Sequence, residues 1–212
     1  MKSILLPTLG LMILLSGCMS EKAVITRHYT IEWADDRNAG DREEEAGEKE
    51  GLIPGRCEID QIEISPLYEK TQIVNRSDSH EISYYRYHQW ATRPAVAVME
   101  VVRTYLEGAG MFESVSSRYS RAIPDYHFTT NIRQLELIES KNLFMAHLHI
   151  EFSIVSNADG STLLEHQADR STPLEKKELN LFAAAISDML VSELRAFEYL
   201  FRSQFTELYD AQ

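Results

Sequence analysis

The sequence predicts an α/β (α+β) fold: a single mixed, largely antiparallel sheet packed by a short buried helix and a long C-terminal amphipathic helix. Three stretches carry that expectation. From Asn142 to Ser156, Phe144, Ala146, Leu148, Ile150, Phe152 and Ile154 form one uninterrupted apolar face, and Met145, His147, His149, Glu151 and Ser153 form the other. Two-residue alternation with one wet face marks an antiparallel strand. From Leu174 the period turns helical, with Leu179, Phe182, Ala183, Ile186, Leu190, Leu194, Phe197, Phe201, Phe205 and Leu208 at three- and four-residue steps. That helix should run for about 28 residues, or about 42 Å. Between Thr92 and Gly110, Val96, Val98, Met99, Val101, Val102, Tyr105 and Leu106 cover most of a helical circumference, so this shorter helix is expected to be largely buried.

The other elements follow in chain order. His28 to Trp33 alternates, with Tyr29, Ile31 and Trp33 on one face, and predicts a first strand. Asp35 to Gly51 carries eight carboxylates against Arg37, Arg42 and Lys49. It holds too little apolar surface to offset its ordering entropy and reads as an acidic loop over 35–51. Pro54-Gly55 ends it. Cys57 to Ser65 predicts a second strand with Ile62 and Ile64 inward. Gln72 to Arg76 and Glu81 to Tyr85 predict a hairpin around Ser77-Asp78-Ser79, followed by the aromatic cluster Tyr84, Tyr85, Tyr87 and Trp90.

The Thr92 hydroxyl is placed to cap the first helix, with Pro94 in its opening turn and Gly108 and Gly110 at its end. Phe112 to Ser116 and Tyr126 to Ile138 predict a short and a long strand. Asn157-Ala158-Asp159-Gly160 supplies a hairpin turn, from which Ser161 to Arg170 returns antiparallel. No repeat of solenoid length occurs.

The N-terminus carries an address. Lys2 precedes the apolar run Ile4 to Leu15, which is too short for a spanning helix of about 20 residues and reads as a secretory signal over 1–17. Its ending, Leu15-Ser16-Gly17-Cys18, resembles a bacterial lipobox, in which the cysteine is diacylated, the signal is cut before it and the new amino group is acylated. Residues 18–27 then form a lipidated N-terminus and tether, and 28–212 a single domain. Acyl chains on Cys18, at about 0.8 kcal/mol per buried methylene, anchor the chain without any other cofactor. Met19 and Ser20 stand where an aspartate would resemble an inner-membrane retention signal, so the expected address is the outer membrane, facing the periplasm.

Composition narrows the function. A formal net charge of −12 disfavours nucleic acid and anionic headgroups as partners. With Cys18 acylated, Cys57 has no partner for an internal disulfide and reads as a buried thiol, without the basic surroundings or Cys-x-x-Cys motif of a reactive one. His147, His149 and Glu151 share a strand face and could in principle hold zinc, but no helical His-x-x-x-His or further cysteine supports them, and no metal is expected. There is no Gly-x-Ser-x-Gly elbow, Walker sequence or Gly-x-Gly-x-x-Gly, so the chain is not expected to be an enzyme.

Ser65-Pro66-Leu67-Tyr68, Gln72-Ile73-Val74-Asn75-Arg76 and Tyr87-His88-Gln89-Trp90-Ala91, followed by Pro94, resemble the ABC-type transport auxiliary lipoproteins, the PqiC-like family. Gln89 stands where that family has an arginine, Arg93 replaces an acidic residue, and Glu69-Lys70 replaces an Asp-Arg pair. The resemblance implies a non-catalytic accessory or docking component of an MCE-type lipid transport system, with an MCE-domain protein as partner and a homo-oligomer as a further implication. The alternative reading is an assembly or regulatory lipoprotein that activates a cell-envelope enzyme or stabilises a secretion complex. Tyr84, Tyr85, Arg86, Tyr87 and Trp90 are the candidate partner-binding residues, being of the types enriched at interface hot spots. The wet face of the Asn142 strand and the aromatic distal end of the long helix (Tyr199, Phe201, Phe205, Tyr209) are further candidate surfaces.

Overall fold

Strand β7 (Tyr126–Ser140), 15 residues long, organises the sheet. One of its edges pairs antiparallel with β8 (Leu143–Ser156), which pairs antiparallel with β9 (Thr162–Leu174). Its other edge is shared by three shorter strands, all parallel to it. These are β2 (Ile53–Ile59) at its start, β3 (Glu63–Ile64) in the middle and β4 (Gln72–Ser77) at its end. Outside β2 lies β6 (Phe112–Ser117), parallel; outside β4 lies β5 (Glu81–Trp90), antiparallel; and β1 (Arg27–Tyr29) adds parallel to the end of β5. The long registers are antiparallel and the short ones parallel, which makes the sheet mixed and largely antiparallel. The computed structural model describes residues 25–33, 53–77, 80–117, 123–141 and 143–209. The signal segment 1–17, Cys18 and the acidic stretch 35–51 lie outside the described residues.

Helix α2 (Leu179–Tyr209) covers one face of the sheet, chiefly over β8 and β9. Leu179, Phe182, Ala183, Ile186, Leu190, Leu194, Phe197 and Phe201 are all buried, as their spacing predicts. Phe197 meets Phe128 of β7 edge-on at 5.3 Å and Phe152 of β8 at 6.0 Å, and Phe182 stacks on Trp90 at 5.6 Å. The same face of α2 carries Glu193, buried to 3 % exposure, which takes His166 at 2.8 Å and Arg170 at 2.7 Å from β9. Strand β9 is an edge, and this pairing fastens it to the helix.

A bulge sets which residues face that core. Ile132 pairs with Ile150 and Gln134 with His149, so Arg133 has no opposite number. Before it Phe128, Thr130 and Ile132 are the buried set; after it Leu135 and Leu137 are. The extra residue shifts the alternation by one and keeps the leucines on the helix side. Glu136 consequently joins His147 on the opposite face.

Several elements differ from expectation. The first strand is confined to Arg27–Tyr29, because only those residues find a partner, in Trp90 and its neighbours; Ile31 leaves the ladder yet stays buried. The same pairing extends β5 from Tyr85 to Trp90. The run Cys57 to Ser65 splits into β2 and β3 around Asp60 to Ile62. Helix α1 (Pro94–Ala109) is capped by Arg93 with no side-chain hydrogen bond, not by Thr92. Pro94 takes the first helical position and forces the residue before it into extended geometry, so the cap falls one place later.

Helix α1 is also less enclosed than its composition implies. Val98, Val101, Val102, Tyr105 and Leu106 are buried, whereas Val96 is 51 % exposed and Arg103 pairs with Glu100 and Glu107 on the outer side. Gly108 lies within the helix, and Gly110, in left-handed geometry, ends it. Leu174 belongs to β9, opposite Phe144, so α2 starts five residues later than the first sign of helical period and runs to 31 residues.

Candidate docking surface and the ion network beneath it

The face opposite the helices is polar, and its middle is closed by the turn over 66–70. Tyr68 of that turn is buried to 2 % and donates its hydroxyl hydrogen to Glu136 Oε2 at 2.7 Å. Arg76 of β4 donates from Nε to Glu136 Oε1 at 2.6 Å and from Nη2 to Oε2 at 3.0 Å, a two-pronged grip. His147 of β8 directs Nδ1 at Glu136 Oε1 across 3.5 Å, and its Nε2 lies 2.8 Å from Asp169 of β9. One carboxylate thus joins the turn, β4, β7 and β8, and through His147 reaches β9.

Burial alone pushes the Glu136 carboxyl up; the neighbouring His147 imidazole and the hydrogen bonds from Arg76 and Tyr68 outweigh it and hold the carboxyl at about 2. Burial, reinforced by the Glu136 charge, drives the Tyr68 phenol up to about 12. Glu136 and Asp169 hold the His147 imidazole above its ordinary value against the opposing effect of its burial. This network was only half legible. Tyr68 and Arg76 fall within the motifs that resemble the family, whereas Glu136 carried one signal, a lone carboxylate between Leu135 and Leu137 in a strand.

Outside the turn, Leu67 is 43 % exposed and Tyr84 is 39 % exposed, with the Tyr84 hydroxyl 3.5 Å from the Leu67 carbonyl and Lys70 over the Tyr84 ring at 5.9 Å. Tyr87, 38 % exposed, carries the Arg86 guanidinium over its ring at 5.5 Å. Tyr85 is half-buried between His88 and Lys177. Trp90 is 3 % exposed. Of the five residues grouped in sequence, Tyr84, Arg86 and Tyr87 therefore present a surface, while Trp90 holds the core together through Phe182.

The other candidate surfaces resolve differently. His149 is 2.8 Å from the Gln167 amide and Glu151 pairs with Arg133 at 3.0 Å, so His147, His149 and Glu151 point to three separate partners and make no metal site. On α2, Tyr199 is 72 % exposed, whereas Phe201 is enclosed and Phe205 stacks on it at 4.6 Å. Tyr209 closes the helix, and its side chain lies outside the described residues. Cys57 has no exposed surface, and burial pushes its thiol up to about 12, far from nucleophilic range.

A family model described as the ABC-type transport auxiliary lipoprotein component matches residues 41–196. The chain belongs to this family. It is a family of auxiliary transport components, not of enzymes. A crystal structure from Xanthomonas campestris aligns with 77 % of this chain and 91 % of its own at 16 % identity and a TM-score of 0.61. A crystal structure of an uncharacterized protein aligns with 87 % of this chain and 99 % of its own at 6 % identity and a TM-score of 0.55. At those identities the likeness is one of fold. No curated protein matches the chain in sequence. Among the described residues, no helix is long and apolar enough to cross a membrane.

Proposed function

We propose that this auxiliary lipoprotein is held by acyl chains on Cys18 in the outer membrane, facing the periplasm, and docks the MCE-domain protein of a lipid transport system. The observation that carries this reading is the family match over 41–196 behind a lipobox-type cysteine. The nine steps from Cys18 to Arg27 reach at most about 30 Å when extended, which keeps the sheet close to the bilayer. Confinement of that kind raises the effective concentration of the domain for anything that arrives at the membrane, so a modest surface suffices. Tyr84, Arg86 and Tyr87 are exposed, Tyr84 beside Leu67 of the turn that closes over the ion network, and they suit such a surface.

The test is co-purification of the lipidated protein from detergent extracts. The MCE protein should come down with the wild type and be lost when Tyr84, Arg86 and Tyr87 are replaced together by alanine. Failure to recover any MCE protein with the wild type would remove the docking role. Cys18→Ala should release the domain from the membrane fraction or leave it unprocessed; a cleaved variant that remains membrane-bound would remove the anchor.

A further inference from the structure

We propose that Glu58, Asp60 and His127 form a binding site for a divalent transition-metal ion of the zinc class. Strands β2 and β7 run parallel with Glu58 opposite His127 and Ile59 opposite Phe128. Ile59 and Phe128 are fully buried on the helix side, so strand alternation turns Glu58 and His127 to the other face. Asp60 follows β2 directly, and its backbone N–H donates to the Phe128 carbonyl at 2.9 Å, which keeps its side chain beside the imidazole. One ligand atom from each of the three residues lies within 4.8 Å of the other two. Two carboxylates and an imidazole are a donor set that zinc accepts with an open fourth position.

Two features separate this cluster from an ordinary acidic surface. Glu58 is only 8 % exposed as a whole residue, and its carboxylate stands among ligand atoms that lie within 4.8 Å of one another. Two carboxylates with oxygen atoms within 4.8 Å of each other repel, and a cation held between them and the imidazole removes that repulsion. The imidazole is also already oriented, with Nδ1 2.9 Å from Asp60 Oδ1. Zinc bonds of about 2.1 Å place tetrahedral ligand atoms about 3.4 Å apart, so side-chain rotations of about 1 Å close the site. Asp60 also lines a neighbouring polar pocket with Thr129, Asn131, Ser153 and Glu165. The nitrogen donor and the small ligand number disfavour calcium and magnesium, which require more oxygen atoms. The site stands apart from the Glu136 network and does not depend on the docking reading.

Calorimetric titration of the full, untagged chain in detergent with zinc chloride tests the assignment. One saturable site is expected, together with a zinc-dependent rise in melting temperature that calcium and magnesium do not produce. His127→Ala and Asp60→Asn should each weaken zinc binding at least tenfold and abolish that rise. Glu58→Gln, which keeps shape and volume, should do the same while melting as the wild type does without metal. No saturable binding below millimolar zinc overturns the site. So does equal binding by wild type and all three variants, which would assign the zinc to carboxylates elsewhere, such as those of 35–51.

Discussion

Arg76 and Glu136 meet in a two-pronged pair, at 2.6 and 3.0 Å, across the parallel junction of β4 and β7, and Glu136 retains no exposed surface. A carboxylate so enclosed is tolerable only because Arg76, Tyr68 and His147 surround it. Removing it would leave Arg76 and His147 facing a void, and removing one partner of a buried pair costs about 3–5 kcal/mol. Glu136→Ala should therefore lower the unfolding free energy by about that amount, and Glu136→Gln by less, since an amide oxygen still accepts from Tyr68. Urea unfolding measures both. A loss under about 1 kcal/mol for the alanine variant would mean that the network does not brace the sheet.

The same network predicts a stability maximum in mildly acid solution. Glu136 titrates at about 2 in the fold against an ordinary 4.5, so its contribution is complete above 4.5 and is lost as pH falls towards 2. His147 is raised above its ordinary 6.5, so its contribution is complete below 6.5 and fades as pH rises through the folded value. Both act fully between 4.5 and 6.5. Melting temperature against pH should peak there, and His147→Asn should flatten the alkaline limb while leaving the acid limb in place. A wild-type profile that climbs steadily to pH 8 would contradict the assignment.

Trp90 and Tyr87 should separate by kind. Trp90→Ala vacates a site stacked on Phe182 and should cost about 3–5 kcal/mol. Tyr87→Ala and Arg86→Ala lie at the surface and should each change stability by less than about 1 kcal/mol. Thermal denaturation of the single variants checks this, and a Trp90→Ala protein as stable as the wild type would place that ring outside the core.

Cys57 should behave as an inert thiol. With no exposed surface and a pKa of about 12, it should resist an aromatic disulfide reagent in the native lipidated protein and react fully in denaturant. Reaction within minutes under native conditions would show that β2 opens readily.

Local periodicity made much of the architecture readable. The β8 alternation and the α2 stripe from Leu179 to Phe201 are one-dimensional patterns, and burial follows them closely because each element presents a single face to a single core. The parallel pairings were not readable in that way. Nothing around Arg27 or Gln72 states that β1 will lie against residues 88–90 or β4 against residues 137–139, since a parallel partner is remote in sequence. Arg133 hid the change of parity in β7, and with it the side on which Glu136 emerges.

The sequence by itself determined the fold class, the helical and strand faces, and the family, because these rest on residue spacing and on motifs such as Gln72 to Arg76. Tertiary structure alone decided which polar residues meet. Tyr68, Arg76, Glu136, His147 and Asp169 come from five separate places in the chain, and His127 reaches Asp60 from 67 residues away. It also took Trp90 out of the surface cluster that its neighbours form. Side-chain convergence depends on strand register and on one bulge, and both are settled by packing across the sheet.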